Sequence, residues 1–219
     1  MTRATATVLA PPSADATSAP VPAGIRATRA DMETVGDVLA RAFDDDPLMR
    51  HLFRTDRHRT TALRRLFRRA ALEALPHGEV YLTQAGDAAA ICYPPSAPRE
   101  TLLGTLRLLP AMAYAGGLRR LPTLLRTLSW IEEHHPKDPH LYVMFMGVVP
   151  ERQGRGIGRS LLQAILDAPA LAGSPAYLEA STPDNARLYQ RLGFRAMGDL
   201  PLPDGGPVLR PMWREATRR

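Results

Sequence analysis

The hydrophobic positions of the chain alternate between helical and strand-like spacing. A short strand is predicted at the start of the segment that begins at Gly24. It precedes a stripe at the three- and four-residue spacing of an amphipathic helix, which the acidic residues 44–46 are expected to end. Residues 79–95 contain two β-like runs around a turn signal at residues 85–87, which predicts a hairpin. The helical stripe consists of Met32, Val35, Val38, Leu39 and Phe43.

The second half of the chain repeats this alternation around one strongly apolar segment. Residues 140–149 form a continuous apolar run, which is typical of a central strand covered on both faces. A helix (159–168), a strand (176–180), a second helix (184–192) and a closing hairpin are predicted after it. Residues 96–139 precede it as helical pieces that prolines and glycines interrupt. Strands that alternate with helices predict a layered α/β fold.

Length and composition favour one domain. With 219 residues, 45% of them hydrophobic, the chain is long enough for one sizeable core, so residues 24–219 are predicted to form a single domain. Residues 1–23 are rich in Ala, Thr, Ser and Pro and are predicted to be a disordered tail. Cys92 is the only cysteine, which excludes an internal disulfide framework and indicates a reducing, cytoplasmic location. Since no run of about 18 apolar residues occurs, no membrane span is expected.

The net charge of +6 does not by itself indicate nucleic-acid binding. Lys137 is the only lysine among 28 basic residues, and so one-sided a use of arginine indicates genome composition rather than a binding code. The most basic segment, residues 54–72, carries an apolar stripe at Leu63, Leu66 and Phe67. We therefore expect an amphipathic surface helix with a solvated arginine face, and no nucleic-acid partner.

Three glycines, Gly154, Gly156 and Gly158, lie where the apolar strand gives way to a helix. A bare backbone lets a ligand approach closely, and the unpaired N–H groups of a first helical turn attract anions, so this segment is predicted to bind phosphate groups. The alternative is a tight turn without a ligand. A Walker loop is excluded because its first glycine would fall at Gln153 and its lysine at Arg159, and this arginine also breaks the dinucleotide pattern GxGxxG.

The segment QGRGIG, residues 153–158, matches the Q/R-x-x-G-x-G/A loop of the GNAT acyl-CoA N-acyltransferases. The chain resembles this family beyond the loop, because residues 178–194, LEASTPDNARLYQRLGF, are similar to its next strand and its Asn-x-x-x-Tyr-x-x-x-Gly-Phe helix. The resemblance covers most of residues 24–213, and the layout looks most like that of the puromycin N-acetyltransferase branch. It implies the GNAT fold, an α/β (α+β) three-layer structure. Its mixed central sheet of about six or seven strands is flanked by helices and has a splayed central strand pair.

The resemblance also implies where acetyl-CoA binds as co-substrate. The backbone of Val148 and Val149 would orient the thioester and stabilise the developing oxyanion, although both valines also suit an ordinary strand core. Tyr189 would protonate the departing thiolate, although composition alone favours a core tyrosine. The cofactor-binding residues implied are Val148, Val149, Gln153, Gly154, Arg155, Gly156, Ile157, Gly158, Arg159, Asn185 and Tyr189.

Glu179 lies in the middle of a predicted strand, on the face opposite Leu178. A carboxylate in a central strand is costly unless it lines a polar cavity. With the resemblance to the puromycin branch, this predicts that Glu179 accepts the substrate's proton, directly or through water. Ser181, two residues on, would share that face. The alternative for Glu179 is a salt bridge to Arg187 or Arg191.

Two further groups have both a functional and a plainer interpretation. Asp44, Asp45 and Asp46 follow the first helix and would attract a cationic amine, or else form a solvated acidic loop. His134 and His135 would form a proton relay, or else be surface or structural residues. Because no third ligand occurs at a recognisable spacing, these histidines do not predict a metal site.

These features predict an acyl-CoA-dependent N-acetyltransferase that transfers an acetyl group to a primary amine of a small molecule by direct attack in a ternary complex. The expected acceptor is an antibiotic or another amine metabolite, and the expected state is a monomer or homodimer. The alternatives are a transferase acting on protein N-termini or lysines, and a non-catalytic acyl-CoA-binding module. The helical insert favours a small acceptor because it would cap the cleft. The presence of Glu179, Asn185 and Tyr189 counts against the non-catalytic module.

Overall fold

The computed structural model describes residues 25–97 and 102–216, without the side chains of Ile25 and residues 102–106. The predicted tail, residues 1–23, lies outside the described residues. The strands are β1 (Ile25–Arg26), β2 (Glu79–Leu82), β3 (Ala88–Tyr93), β4 (Leu141–Val148), β5 (Ala176–Ala180), β6 (Arg195–Ala196), β7 (Leu200–Pro201) and β8 (Val208–Arg214). The helices are α1 (Met32–Ala42), α2 (Pro47–Leu52), α3 (Arg59–Ala74), α4 (Leu102–Gly116), α5 (Leu121–His134), α6 (Ile157–Leu166) and α7 (Pro183–Gln190).

The strands form a mixed sheet in the order β1-β2-β3-β4-β5-β8-β6, and the short strand β7 pairs with the beginning of β8. All pairs along this path are antiparallel except β4 with β5, which run parallel. The predicted mixed sheet of about six or seven strands is confirmed, with β7 as a two-residue addition. Both hairpins expected from the turn signals, β2–β3 and β7–β8, are present.

The central strands β4 and β5 are paired only where they begin. Leu141 pairs with Ala176 and Tyr142 with Tyr177, and the ladder between these two strands ends there. On its other edge β4 remains paired with β3 as far as Val148. The two parallel strands therefore diverge towards their carboxyl ends, which is the predicted splay.

A β-bulge in β4 accounts for this divergence. Phe145 lies opposite Ile91, whereas Val143 lies opposite Cys92, so Met144 is one extra residue in the ladder with β3. A bulge bends its strand and increases the local twist. Because β4 stays attached to β3 beyond the bulge, the bend carries it away from β5.

Both faces of the sheet are covered by helices. Successive residues of β3 point to opposite sides, so Ala89 and Ile91 pack with α1 and α3 while Ala90 and Cys92 pack with α6 and α7. Cys92 is the small buried group that its strand position predicts. Helix α1 approaches β4 so closely that a Cβ on Gly147 would lie 2.5 Å from an α1 side-chain atom.

The arginine-rich segment forms the amphipathic helix α3, as predicted, but its basic face is less solvated than expected. Arg64 and Arg68 form ion pairs with Asp37 and Glu33 of α1. Arg59 is buried, and its guanidinium donates to backbone carbonyl oxygens of the segments around α2. Much of the positive charge therefore holds α1, α2 and α3 together.

The insert before β4 folds as two helices, α4 and α5. Pro110 lies inside α4, so the break predicted there is wrong. The break expected further on is confirmed, because Gly117 adopts a φ of +76° after α4 and Pro122 lies in the first turn of α5. No helix within the described ranges is long and apolar enough to span a membrane.

Candidate active site

A cavity of about 150 Å³ lies beside the carboxyl halves of β4 and β5, where the two strands diverge. Its walls are mainly apolar, and α4 and α5 contribute part of them, so the insert does cap this cleft. The polar side chains at its surface include Asp46, Glu179, Ser181, Asn185 and Tyr189. The fold thus gathers residues that are as far as 143 positions apart in sequence around one small space (189 − 46 = 143).

Glu179 lies in the middle of β5, and only 9% of its side chain is exposed. Its Oε2 accepts a hydrogen bond from the Tyr142 hydroxyl at 3.1 Å. Its Oε1 lies 3.8 Å from Nδ1 of His135 and has no hydrogen-bond partner among the described residues. The alternative salt bridge to Arg187 or Arg191 is not formed within the described chain, and Arg187 pairs with Asp184 instead.

Two tyrosines surround this carboxylate. Burial, and then the charge of Glu179, raise the pKa of both Tyr142 and Tyr177 above the ordinary phenol value. Both hydroxyls are therefore protonated at neutral pH and are able to donate. The sequence analysis missed them, although Tyr177 lies two residues before Glu179 in β5 and therefore shares its face of the sheet.

The two adjacent histidines have different surroundings. His134 ends α5 at the surface, where its ring lies 4.4 Å from that of Trp130. His135 turns inward and packs between the rings of Tyr142 and Tyr177, each 4.7 Å away. The surface interpretation thus holds for His134, and only His135 reaches the site.

Tyr189 and Asn185 lie one turn apart on α7, as the spacing predicted. The helix begins there because the Thr182 side chain accepts a hydrogen bond from the backbone N–H of Asn185 at 3.2 Å, with Pro183 in the first turn. Burial, followed by the nearby charge of Asp46, raises the pKa of Tyr189, which keeps this phenol protonated. Both side chains line the cavity.

The acidic cluster divides into three different environments. Asp45 is 93% exposed and pairs with Arg50, which is the solvated interpretation. Asp44 pairs with the buried Arg59. Of the three aspartates, Asp46 is the one that lines the cavity. It also caps α2, a helix that the sequence analysis missed, by accepting a hydrogen bond from the backbone N–H of Met49 at 3.0 Å.

Asp46 is connected to the helix that carries Tyr189. The Ser181 hydroxyl donates to Oδ2 of Asp46, and the Asn185 side-chain amide donates to the Ser181 hydroxyl at 3.4 Å. Burial raises the pKa of Asp46 despite these hydrogen bonds. The predicted acceptor-side residues Asp46 and Ser181 therefore form one hydrogen-bonded chain with Asn185, whereas Asp44 and Asp45 do not join it.

The glycine loop leads from β4 into an open helix start. Gly154 and Gly156 have φ values of +73° and +80°, and a Cβ on either would meet no atom within 4 Å. Gly156 occupies the N-cap of α6 and offers no side chain to the unpaired amides of Ile157, Gly158 and Arg159. Gly156 and Arg159 are exposed, so the start of α6 is open to an anion.

Gly158 serves a different purpose from the other two glycines. A Cβ there would lie 3.3 Å from Cγ2 of Val148 and 3.8 Å from Cδ2 of Leu188, so its bareness lets α6 approach β4 and α7. The side chain of Gln153 also turns inward and donates to the carbonyl oxygen of Val148 at 2.9 Å. Arg155 and Arg159 remain exposed on the outer side of the loop.

The backbone of β4 offers a different pair of amides from the pair that the sequence analysis assigned. The N–H of Val149 donates to the carbonyl oxygen of Asp87 at 2.9 Å, so this amide is already used. Hydrogen bonding alternates along an antiparallel ladder, so the N–H groups of Met146 and Val148 point to the opposite edge of β4, towards the gap with β5. Of the two valines assigned, Val148 is therefore the one whose amide faces the gap with β5, and Met146 supplies a second such amide that the sequence analysis did not assign.

The fold and this site define a class of protein. A mixed sheet with a splayed parallel pair carries a glycine loop after one strand and an Asn-Tyr helix after the other, which is the arrangement that the sequence resemblance implied. Residues 126–196 match the sequence model described as the acetyltransferase (GNAT) domain. Residues 126–196, which contain both the glycine loop and α7, are thus similar to the GNAT acetyltransferase domain.

Individual proteins share this likeness to different extents. The structure is similar to that of a histone acetyltransferase HPA2 and related acetyltransferase from Corynebacterium glutamicum, with a TM-score of 0.68 and 25% identity over 91% of this chain and 98% of that one. A polyamine N-acetyltransferase from Drosophila melanogaster, which forms N-acetylagmatine, has the same fold with a TM-score of 0.60 and 19% identity, over 88% of this chain and 98% of that one.

A sequence match connects the chain to the N-alpha-acetyltransferase RimI of Mycobacterium tuberculosis. The two are 46% identical over 55 residues, which is 24% of this chain. The match spans 34%, about a third, of the length of that curated relative. It therefore supports the family and leaves the acceptor to be argued from the cavity.

Proposed function

We propose that this protein is an acetyl-CoA-dependent N-acetyltransferase that acts on the primary amine of a small molecule with a compact apolar body. The observation that carries the proposal is the convergence of a buried carboxylate, Glu179, and a protonated phenol, Tyr189, on one mainly apolar cavity. An uncapped helix start lies directly after the strand that forms the cavity wall. These are the groups that direct transfer to an amine requires.

The residues of the glycine loop fit the diphosphate of coenzyme A. The start of α6 is exposed and has no side-chain cap, and Arg155 and Arg159 add positive charge beside it. The amides of Met146 and Val148 face the gap between β4 and β5 and would orient the thioester carbonyl. When bound, acetyl-CoA supplies an activated acyl group.

Glu179 is proposed to remove the proton of the acceptor. An aliphatic ammonium group with a pKa near 10.4 must lose a proton before it attacks, which costs about 4 kcal/mol at pH 7.4. A buried carboxylate at the cavity wall provides a local acceptor for that proton. Tyr142 donates to the other oxygen of Glu179 and so fixes its orientation.

Tyr189 is proposed to donate to the departing sulfur. Its raised pKa keeps the hydroxyl protonated over the neutral range, so a donor is always present. A thiol has an ordinary pKa near 8.5, which is below the ordinary phenol pKa near 10, and burial raises the pKa of Tyr189 further. Tyr189 therefore stabilises the sulfur chiefly by hydrogen bonding, and complete proton transfer follows with solvent exchange.

The cavity supports a small acceptor. A volume of about 150 Å³ accommodates a compact molecule, well below the roughly 300–1,000 Å³ of pockets that hold drug-sized ligands. Helices α4 and α5 cover the side on which a peptide would need an open groove. Asp46 adds a second carboxyl group, so an acceptor with one more polar or cationic group also fits.

The test is a thiol-release assay with acetyl-CoA and a panel of amines that includes arylalkylamines, aliphatic diamines, puromycin and aminoglycosides. Glu179→Gln is expected to lower kcat by about 100-fold or more, and Tyr189→Phe by about tenfold or more, at unchanged melting temperature. Glu33→Gln and Tyr114→Phe are the controls, because they remove a carboxylate and a phenol hydroxyl at the surface, and they are expected to leave kcat unchanged. Full turnover by both site variants on a true substrate would refute the assigned roles.

Acetylation of protein N-termini is the second candidate, and the similarity to RimI favours it. A peptide with a free amino terminus is therefore included in the panel. A kcat/KM for the peptide that exceeds that of every small amine would replace the small-molecule proposal, since the cavity would then have to open for a chain.

A further inference from the structure

We propose that His135 and His140 form a proton relay that carries the acceptor's proton from Glu179 to a separate surface cleft. This inference rests on the proposed function, because it concerns the proton that Glu179 removes. One proton must leave in each turnover at neutral pH, since an ammonium ion becomes a neutral amide while the thioester becomes a neutral thiol. A buried base surrounded by apolar walls needs a path for that proton.

The hydrogen-bond geometry fixes the tautomers of the two rings. Nδ1 of His140 lies 2.6 Å from the backbone carbonyl oxygen of Asp138, which only accepts, so this nitrogen carries the proton. Nε2 of His140 is then bare in the neutral ring and lies 3.0 Å from Nε2 of His135. His135 must therefore donate from Nε2, which leaves its own Nδ1 without a proton.

That bare nitrogen faces the catalytic carboxylate. Nδ1 of His135 lies 3.8 Å from Oε1 of Glu179, the oxygen that has no hydrogen-bond partner among the described residues. Two acceptors thus face each other across a gap too short to hold a water molecule between them. The arrangement has room for one additional proton, which is the proton that Glu179 takes from the acceptor.

The transfer balances in four steps. The carboxylate of Glu179 takes a proton from the ammonium group and leaves an electron pair on the amine nitrogen. The carboxylic acid passes this proton to Nδ1 of His135, and His135 passes its Nε2 proton to Nε2 of His140. His140 then releases its Nδ1 proton to water. The two rings return to their starting tautomers by exchange with water between turnovers.

The last ring of the relay, His140, is itself only 9% exposed, and its neighbours connect it to solvent. Pro136, Asp138 and Trp213 line an open cleft of about 700 Å³ that shares no lining residue with the acceptor cavity. The ring of His140 lies 5.4 Å from that of Trp213. The proton therefore leaves through a different opening from the one that the acceptor occupies.

The relay is tested with His135→Asn and His140→Ala in the full-length protein, with acetyl-CoA and an amine that the wild type acetylates. Both changes are expected to lower kcat by about tenfold or more while both KM values stay within twofold. Added imidazole is expected to restore turnover in His140→Ala, because a free ring replaces the missing one. His134→Asn, the adjacent surface histidine, is the matched control and is expected to match the wild type.

A pH profile separates the relay from a merely structural role. The groups that face His135 are Glu179, Tyr142 and Tyr177 from the sheet and His140, with Glu132 nearby on α5. The loss of kcat in the relay variants is expected to shrink as pH rises towards the pKa of the amine, because less of the acceptor then needs deprotonation.

The outcomes are distinct. Wild-type kcat in both variants would overturn the relay, and so would a loss that neither imidazole nor higher pH reduces. If His140→Ala melts at a lower temperature, rescue is measured below that temperature, and its absence counts against the relay. Failure of the wild type to acetylate any amine would instead contradict the proposed function.

Discussion

Replacement of Gly156 by alanine tests whether the glycine loop holds the diphosphate. The φ of +80° at Gly156 lies in the left-handed region, where an L side chain costs roughly 1–2 kcal/mol. For a protein of this size, each 1 kcal/mol lowers the melting temperature by about 2–4 °C. Gly156→Ala is therefore expected to melt about 2–8 °C below the wild type for backbone reasons alone.

The effect on coenzyme A should exceed this strain. The new Cβ would project into the space that the bare N-cap leaves open, where no protein atom lies within 4 Å. If the methyl group displaces one charge-assisted hydrogen bond between a helix amide and the diphosphate, binding weakens by about 1.5–3 kcal/mol. This corresponds to a rise in Kd of roughly 10- to 150-fold.

A matched variant separates strain from ligand contact. Gly205 lies in the β7–β8 turn with a φ of +69°, and a Cβ there also meets no atom within 4 Å. Gly205→Ala is expected to lower the melting temperature by a similar amount and to leave the Kd unchanged. Calorimetric titration with coenzyme A measures the Kd of each variant. The reasoning fails if Gly156→Ala binds as tightly as the wild type, or if Gly205→Ala weakens binding equally.

Three further variants test the packing and charges around the site. Gly147→Ala is expected to lower the free energy of unfolding, measured in urea, by about 1–3 kcal/mol, because the new Cβ would lie 2.5 Å from that of Ala42. Adding Ala42→Gly should restore part of the loss. Arg59→Met is expected to lower the free energy of unfolding by about 3 kcal/mol or more, because it leaves buried carbonyl groups unpaired. Arg119→Met at the surface is the control and should lower it by less than about 0.5 kcal/mol. Equal losses in the two variants would contradict this reasoning. Burial raises the pKa of Asp46 above its ordinary value of 3.8, so the folded state holds this proton more tightly than the unfolded chain does. The stability of the wild type therefore falls as pH rises from the pKa of Asp46 in the unfolded chain to its higher pKa in the folded protein. Asp46→Asn should escape this fall, and a wild type that gains stability relative to the variant over the same pH range would show that the sign is wrong.

Much of the site was predictable from the sequence because its elements are specified locally. The periodicity of residues 157–166 and 183–190 fixes two amphipathic helices, and the glycines before the first helix allow the positive φ values that its turn requires. Asn185 and Tyr189 share a helix face because they are four residues apart. Glu179 stands out because a carboxylate is costly in a buried strand.

The insert and the acidic cluster show where local patterns end. Nothing in the spacing of Asp44, Asp45 and Asp46 reveals which one points into the cavity, because their directions depend on α2 and on the buried Arg59 beneath it. Pro110 suggested a break, yet α4 continues through it, since packing of the helix outweighs one lost hydrogen bond.

The amino-acid sequence by itself determined most of the strands and helices, although not α2, and it determined the glycine turn and the positions of the proposed base and phenol. Each of these follows from periodicity or from the properties of one residue. Only the tertiary structure decided which backbone amides of β4 face the gap with β5 and which side chains reach Glu179. The bulge at Met144 sets the register of β4, which commits the amide of Val149 to Asp87 and turns that of Val148 towards the gap. It also took the fold to place His135, rather than His134, against Glu179. The physical reason is that hydrogen-bond direction and burial depend on partners far away in sequence, which a local pattern does not contain.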